Sequence, residues 1–550
     1  MRRFVQRDGR RRFLGGGASL ALAALIGLPA CGDDVPPGAG GSGSTAADAS
    51  SGGGGPQTGS STAAEDTTAG DTGSVGDSTT EAEAESESST GAELVVDVSV
   101  QTYASQPMVV DLVFSVPDLT VSVAHQNDPG VVAVVIPPED RDTTQVRVRG
   151  LRPATQHPLS YLADDGSGDA VSGEVLVDTE PALPGFRASF PVMGDGPAPA
   201  DYVLFDLLTF GEETPSSMFI VDAEGTTRWH HGVLDEVVGI PIIHAAATLQ
   251  SDGSLLYVRG DTISVIDELG TPQVTLTAAD LAQPGLHHEV LALDNGNFMS
   301  LSYAFQEIDY ADIGPTWIAG DVIVEVTPQG DVVWEWDAFD HLDPQRRRDG
   351  FEEIIVDPAT QLDTNDWTHG NGLVYDPATD VVLVSLRHQD WIVAIDRTTS
   401  EVLWRFGDEG DFTLTDGTWF YHQHSPQWQA DGTLLLYDNG VGNPNVEDGL
   451  ETSRAVRYSL DDQAMTAALL WEDEAEDFVS AIAGDANRLA DDSILITDSA
   501  LENGDGVLRG RLRKVDEASS AVPQWSLESS LGQLIYRAVS VDRLAGVARE

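Results

Sequence analysis

The chain reads as an all-β protein: a six-bladed β-propeller preceded by a small fibronectin-like β-sandwich domain. Three observations lead there. An apolar hairpin phrase recurs along residues 184–550, a strand-turn-strand phrase ending in a bulky residue recurs between its copies, and seven short alternating strands precede both. The hairpin phrase is mostly built on Asp-Gly or Asn-Gly, pairs that accept the positive φ of tight turns. It occurs as Thr248 to Val258, Val290 to Leu301, Leu373 to Leu386, Pro426 to Leu436 and Asn487 to Thr497.

The second phrase ends at Trp229, Val274, Trp334, Trp404, Trp471 and Trp525, with spacings of 45, 60, 70, 67 and 54 residues. Six copies at an irregular period near that of a four-stranded blade, with no linkers between them, favour a closed ring over an array of sandwiches. The tryptophans are expected to pack between blades, where a large ring fills the wedge between twisted sheets. In such a ring the first strand of each blade lines the central shaft, and the loop entering it opens onto one mouth.

Ahead of the ring the chain divides by composition. Arg10-Arg11-Arg12-Phe13-Leu14 has the form of a twin-arginine export signal, followed by the apolar run Ala18 to Leu28 and the lipobox-like Leu28-Pro29-Ala30-Cys31. Residues 1–31 are therefore expected to be a signal peptide ending at a lipidated Cys31. Cys31 is the single cysteine, so no intramolecular disulfide can form. Residues 32–92 are Gly, Ser, Thr, Ala, Asp and Glu with almost nothing large, which predicts a disordered acidic stalk. The implied location is periplasmic or cell-surface, with the membrane reached through a lipid anchor only. Residues 93–183 hold the seven sandwich strands, with a Leu151-Arg152-Pro153-Ala154-Thr155 turn before Tyr161. Pro181, Pro184 and Gly185 mark the boundary with the propeller domain, 184–550.

The net charge of −61 argues against a nucleic-acid partner and against binding to anionic lipid. An acidic, solvated surface accounts for it.

The chemistry concentrates in histidines. His288 lies eight residues before Gly296, His424 eight before Gly432, and His369 eight before Pro377. Equal offsets in equal repeats predict equal heights at one mouth, so the three imidazoles should converge. His287 and His422 are their neighbours, and the offset favours His288 and His424 over them without excluding either. Arg387 and His388 are adjacent on one strand, so His388 is expected on the opposite face from Arg387. Trp367 and Tyr421 are near enough to line an aromatic pocket, although tryptophans in such a fold are usually core. Three imidazoles also suit Zn²⁺ or Cu²⁺, but an adjacent Arg387 would repel the ion, so no metal is expected. A quinone cofactor lacks an adjacent cysteine pair and an acidic Ca²⁺ pocket, so no cofactor is expected either.

The phrases themselves are specific: His287-His288-Glu289, Asp366-Trp367-Thr368-His369-Gly370-Asn371, Ser385-Leu386-Arg387-His388-Gln389, Tyr421-His422-Gln423-His424-Ser425-Pro426 and Tyr536-Arg537-Ala538. Together they resemble the bacterial aryl-sulfate sulfotransferases, over roughly residues 93 to 545. The resemblance implies a six-bladed propeller with an N-terminal β-sandwich. It also implies sulfuryl transfer from a phenolic sulfate ester to another phenol, without a nucleotide donor, by a ping-pong route through a sulfohistidine. His424 would be the nucleophile, with His422 the alternative, and His288, His369, Asn371 and Arg387 would surround the sulfuryl group. His287, His422, Trp367 and Tyr421 would contact substrate. The expected partners are small phenols and aryl sulfates, with a homodimer left open. The chain departs from the family pattern in lacking a cysteine pair, in placing Gly370 between His369 and Asn371, and in offering His-Gln-His-Ser-Pro. The competing reading is a non-catalytic surface propeller that binds a ligand or protein partner.

Overall fold

The computed structural model describes residues 94–137, 142–209, 216–233, 244–446, 451–473, 478–502 and 507–549. The expected signal, Cys31 and the stalk lie outside the described residues. Within them the chain is all-β and propeller-like, with one four-residue α-helix, Ala338–His341, and one 3-10 turn. No helix among the described residues is long and apolar enough to cross a membrane.

The first seven strands form two sheets. Val98–Thr102, Val110–Phe114, Thr144–Arg149 and Val132–Ile136 lie side by side in that order, and Thr120–His125, Gln156–Asp164 and Ala170–Asp178 form the second sheet. Alternation along Gln156–Asp164 and Ala170–Asp178 turns Leu159, Tyr161, Ala163, Val175 and Val177 into one apolar cluster with Val110, Leu112, Phe114, Val146 and Val148 of the first sheet. Ion pairs fix this region to strands later in the chain: Arg147 and Arg149 both reach Glu268, and Arg228 reaches Asp128.

From Tyr202 on, antiparallel four-strand units succeed one another. The second, fourth and fifth units consist of Ala245–Leu249 to Pro272–Thr277, Gly370–Asp376 to Val402–Gly407, and His424–Trp428 to Thr466–Glu472. The third unit runs from Leu286–Ala292 to Val332–Asp337, and the sixth from Asp485–Arg488 to Trp525–Glu528. The first unit is completed from the far end of the chain, since Ala538–Val541 pairs with Tyr202–Thr209. Apolar clusters are each shared mainly by two successive units. The cluster of Phe205, Phe219 and Val221 with Leu495, Leu512 and Leu527 joins the sixth unit to the first. Apolar side chains of successive sheets thus cover one another among the described residues, and the last unit packs on the first.

The tryptophans behave as their spacing predicts. Trp229, Trp334, Trp404, Trp471 and Trp525 all fall in the fourth strands of their units. Three donate their indole N–H to a turn of the next unit: Trp229 to the Glu268 carbonyl at 2.8 Å, Trp471 to that of Glu517 at 2.9 Å, and Trp525 to that of Ala223 at 3.0 Å. The last bond again links the sixth unit to the first.

Two departures from regularity shape the mouth of the ring. The third unit's middle hairpin, Phe298–Tyr310 with Gly314–Val326, is extended, and an insertion comes after its fourth strand. Within that insertion Ile354–Val356 pairs with Asp363–Asp366, which in turn lies parallel to the extended hairpin. The second departure is a bulge in the first strands of the second, third, fourth and fifth units. In the third unit His288 and Glu289 stand unpaired between His287 and Val290, whose partners Leu301 and Ser300 are consecutive. In the fifth unit Ser425 and Pro426 stand between His424 and Gln427, whose partners Tyr437 and Leu435 flank Leu436. By ladder position His424 thus matches His287 rather than His288, which corrects the expectation of equal heights. The additional unpaired residue, with His288 at φ 55°, turns His288 into the mouth instead.

Candidate active site

Three first strands and one turn deliver the site. His288 comes from the third unit, His369 stands directly before the first strand of the fourth, and His424 begins the first strand of the fifth. The His288 and His369 rings lie 5.0 Å apart between centroids. His424 is within electrostatic reach of Arg387 and His369, and His288 within that of His369, His424 and Arg387. The structure thus sets His288 against His369, with His424 near enough to act on both.

Each imidazole is oriented by a partner on Nδ1. His369 Nδ1 meets Asp366 Oδ2 at 2.5 Å, and His424 Nδ1 meets Asn439 Oδ1 at 2.7 Å. His287 Nε2 donates to the Ser302 carbonyl at 3.2 Å, which gives it the proton there and leaves Nδ1 to accept from His288 Nδ1 at 2.9 Å. All three site histidines therefore carry their proton on Nδ1 and keep the lone pair on Nε2. Nε2 of His288 and of His369 has no hydrogen-bond partner among the described residues, and that of His424 accepts only the Ala483 N–H at 3.2 Å. Burial holds all three imidazoles below the ordinary value, His288 and His424 far below; Asp366 partly opposes this at His369. Neutral imidazole is the resting form.

Arg387 supplies the positive charge. The strand Val381–Leu386 ends one residue earlier and Arg387–Gln389 forms a 3-10 turn. Arg387 Nη1 donates to Glu353 Oε1 at 3.1 Å and lies 2.5 Å from His388 Nε2. The expectation that His388 points to the other face is thus corrected: alternation applies to a strand, and these residues are in a turn. His388 stacks 4.6 Å from His369, and its Nδ1 donates to the Asp366 carbonyl. Gly350 of the insertion presses on it, since a Cβ there would sit 2.4 Å from His388 Cδ2. Burial works against the charge of Glu353, yet Arg387 and then His388 outweigh it and hold the carboxyl well below its usual range.

The remaining expected residues take different places. Asn371 falls in a bulge and spends its amide N–H on the Gln423 carbonyl at 2.8 Å, bracing the segment that carries His424; its Oδ1 is left without a partner. His287 supports His288 from behind and stacks on Tyr303 at 4.0 Å. His422 lies 5.8 Å from His388, beside Asp349 and Asp390. Trp367 and Tyr421 are corrected as pocket candidates. Trp367 is buried on Phe339 with its N–H on the Arg346 carbonyl, and Tyr421 is buried with its hydroxyl beside Asp408 and Asn445. Beneath the histidines, Arg537 pairs with Glu289 at 2.8 Å and donates to Ser425 Oγ at 3.0 Å.

Sequence reasoning missed Asp366, Glu353 and Asn439 as partners of the site. The carboxylates three residues before His369 and in the insertion carry no repeat signal, and Asn439 sits in an Asp-Asn-Gly stretch that reads as a turn.

One set of groups has the spacing for a cation. Glu353, His369 and His388 offer ligand atoms within 4.8 Å of one another. The Arg387 guanidinium already lies against two of the three. A metal ion there would meet a fixed positive charge.

The whole constellation is suited to an anion with three or more oxygens: one guanidinium, a backbone N–H and imidazoles able to take protons, beside a neutral imidazole nitrogen. Comparison with known proteins agrees. Residues 197–537 match the family model described as arylsulfotransferase (ASST). The arylsulfate sulfotransferase AssT of Escherichia coli O6:H1 is 26% identical over 226 residues, 31% of this chain and 38% of that protein. The protein of the same name from Lelliottia amnigena is 25% identical over 217 residues, 30% of this chain and 36% of that one. The aligned stretch thus spans little more than a third of these curated relatives. Two solved structures, hydrazine synthase of Kuenenia stuttgartiensis (11% identity, 61% of this chain and 80% of that chain, TM-score 0.30) and Hsv2 of Kluyveromyces lactis (9%, 68% and 94%, TM-score 0.26), are too distant to carry an argument. With the family model spanning most of the chain and the converging histidines and arginine inside the matched range, the chain belongs to the arylsulfotransferase family.

Proposed function

We propose that the protein is a nucleotide-independent aryl-sulfate sulfotransferase in which His424 Nε2 carries the sulfuryl group between two phenols. The observation that supports this best is the neutral, Nδ1-protonated His424 beside Arg387 and His369. In the first half-reaction Nε2 attacks sulfur, the N–S bond forms and the S–O bond to the aryl group breaks. The electron pair leaves with the aryl oxygen, which takes a proton from the His369 imidazolium. His424 then holds a positive ring and an attached SO₃⁻. In the second half-reaction His369 Nε2 takes the proton of an acceptor phenol, whose oxygen attacks sulfur and releases His424.

Asp366 steadies the His369 imidazolium as it forms, and Arg387 answers the charge on the equatorial oxygens. The imidazolium is a minor species in the free site, and the charge of a bound sulfate ester favours it. Splitting the transfer in two lowers each barrier. His288, whose Nδ1 is held by His287 and through it by the Ser302 carbonyl, offers Nε2 as a second proton acceptor.

The proposal extends to the fold and its setting. The units are six blades of one propeller beginning near residue 184, residues 93–183 are a β-sandwich, and the signal with Cys31 anchors an exported protein to a membrane. Incubation with a chromogenic aryl sulfate and a phenol tests the activity. Wild-type protein is expected to release the chromophore and His424→Asn to release none; equal turnover by both would overturn the assignment.

A further inference from the structure

Asn439 is fully buried directly after the second strand of the fifth unit, outside every motif that carries the family resemblance. Its amide hydrogens are both used: Nδ2 donates to the Ser480 carbonyl at 2.6 Å and to the Ala483 carbonyl at 2.9 Å. With both donors on carbonyls, the amide has one orientation, and Oδ1 must face His424 Nδ1. The frame around it is itself tied down. Ser453 Oγ donates to the Asn439 carbonyl at 2.8 Å and accepts the Ser480 N–H at 2.8 Å, and Ser480 Oγ accepts the Ala500 N–H at 3.0 Å. Gly484, next to Ala483, packs so closely on Tyr437 that a Cβ would fall 2.4 Å from its ring.

We propose that Asn439 is the positioning residue that decides which nitrogen of His424 reacts: by accepting the Nδ1 proton it leaves the lone pair on Nε2, whose one partner among the described residues is the Ala483 N–H. This rests on the reading of His424 as the nucleophile. A neutral acceptor also suits both halves of a ping-pong cycle. It keeps Nδ1–H hydrogen-bonded when Nε2 gains the sulfuryl group and the ring becomes positive. A carboxylate in its place would bind that cation more strongly, protonate the resting His424 more readily and make the intermediate slower to discharge. The charged or titratable groups that act on His424 are Arg387, His369, Arg537 and His288, and none of them hydrogen-bonds to its ring.

Histidine-labelled wild-type protein, with His424 assigned by its loss in His424→Asn, gives the tautomer directly by ¹⁵N NMR. The expected result is a protonated, pyrrole-type Nδ1 and an imine-type Nε2; a proton on Nε2 overturns the proposal. With a chromogenic aryl sulfate and no acceptor, adduct formation by Asn439→Leu is expected to fall by roughly 10²-fold, the scale at which partners of a reacting imidazole act. Asn439→Asp should keep the adduct on Nε2 while moving the acidic limb of kcat/KM to higher pH. Unchanged rates and pH profiles in both variants would overturn the proposal. If Asn439→Leu fails to fold, the wild-type spectrum and Asn439→Asp still decide it. The expected tautomer with no adduct on His424 overturns the nucleophile assignment instead, and with it the catalytic part of this proposal.

Discussion

Replacing Arg387 separates its charge from its place in the packing. Its guanidinium is the one cation that acts on His288, His369 and His424 alike. A unit charge about 4 Å from a sulfuryl oxygen at an effective dielectric near 20 is worth about 4 kcal/mol. Loss of one well-placed donor costs about 10²- to 10³-fold in rate. Arg387→Met also leaves Glu353 with His388 as its remaining partner, and the Glu353 side chain is 21% exposed. Breaking a buried pair costs about 3–5 kcal/mol, and solvent access reduces this to about 2 kcal/mol. The single variant should therefore lose about 10³-fold in kcat/KM and a few degrees in Tm. Adding Glu353→Gln removes the stranded carboxylate, so Tm should recover while kcat/KM stays low. Kinetics with a chromogenic aryl sulfate and thermal melts of both variants give the two readouts. If activity recovers together with Tm in the double variant, Arg387 is a structural brace and the charge argument fails.

With all three Nε2 atoms unprotonated at rest, binding of inorganic sulfate should take up a fraction of a proton, because the anion raises the His369 value from below 6.5. Calorimetry near pH 6.5 in two buffers of different ionisation enthalpy measures it, and zero uptake would count against the assigned tautomers. Asp206 accepts the Tyr536 and Arg537 N–H groups, and burial pushes its carboxyl up to about 7. A raised folded value means a contribution fully present below the unfolded value and lost as pH rises toward 7, by up to about 4 kcal/mol. Asp206→Asn should flatten stability between about pH 4 and 7 in chemical unfolding; an unchanged slope would contradict this. Trp525→Ala removes the link from the sixth unit to the first and should cost about 3–5 kcal/mol, and a loss under about 1 kcal/mol would mean the contact is not needed for closure.

Much of the fold was legible in the chain because repeats force equivalence. The Asp-Gly and Asn-Gly turns and the tryptophans located the hairpins and the fourth strands, since both encode local geometry. The equal offsets singled out His288, His369 and His424 for the same reason, whereas Arg387 came from the family resemblance. What escaped was whatever breaks the repeat. The two-residue bulge that sets His288 rather than His287 against His369 was one such break, since no period-two pattern encodes a bulge. The strand ending at Leu386 turned His388 inward against the alternation rule. Asp366 and Glu353 arrive on an insertion with no counterpart in other units, and Asn439 is recognisable only from its two carbonyl acceptors. Trp367 and Tyr421 mislead because their type suits a pocket and a core equally well.

The most direct test is peptide mapping of wild-type protein after brief exposure to an aryl sulfate without acceptor. The account predicts a mass gain of one SO₃ on His424, discharged when a phenol is added. A gain on His422 instead, or steady turnover with no histidine adduct, would contradict it.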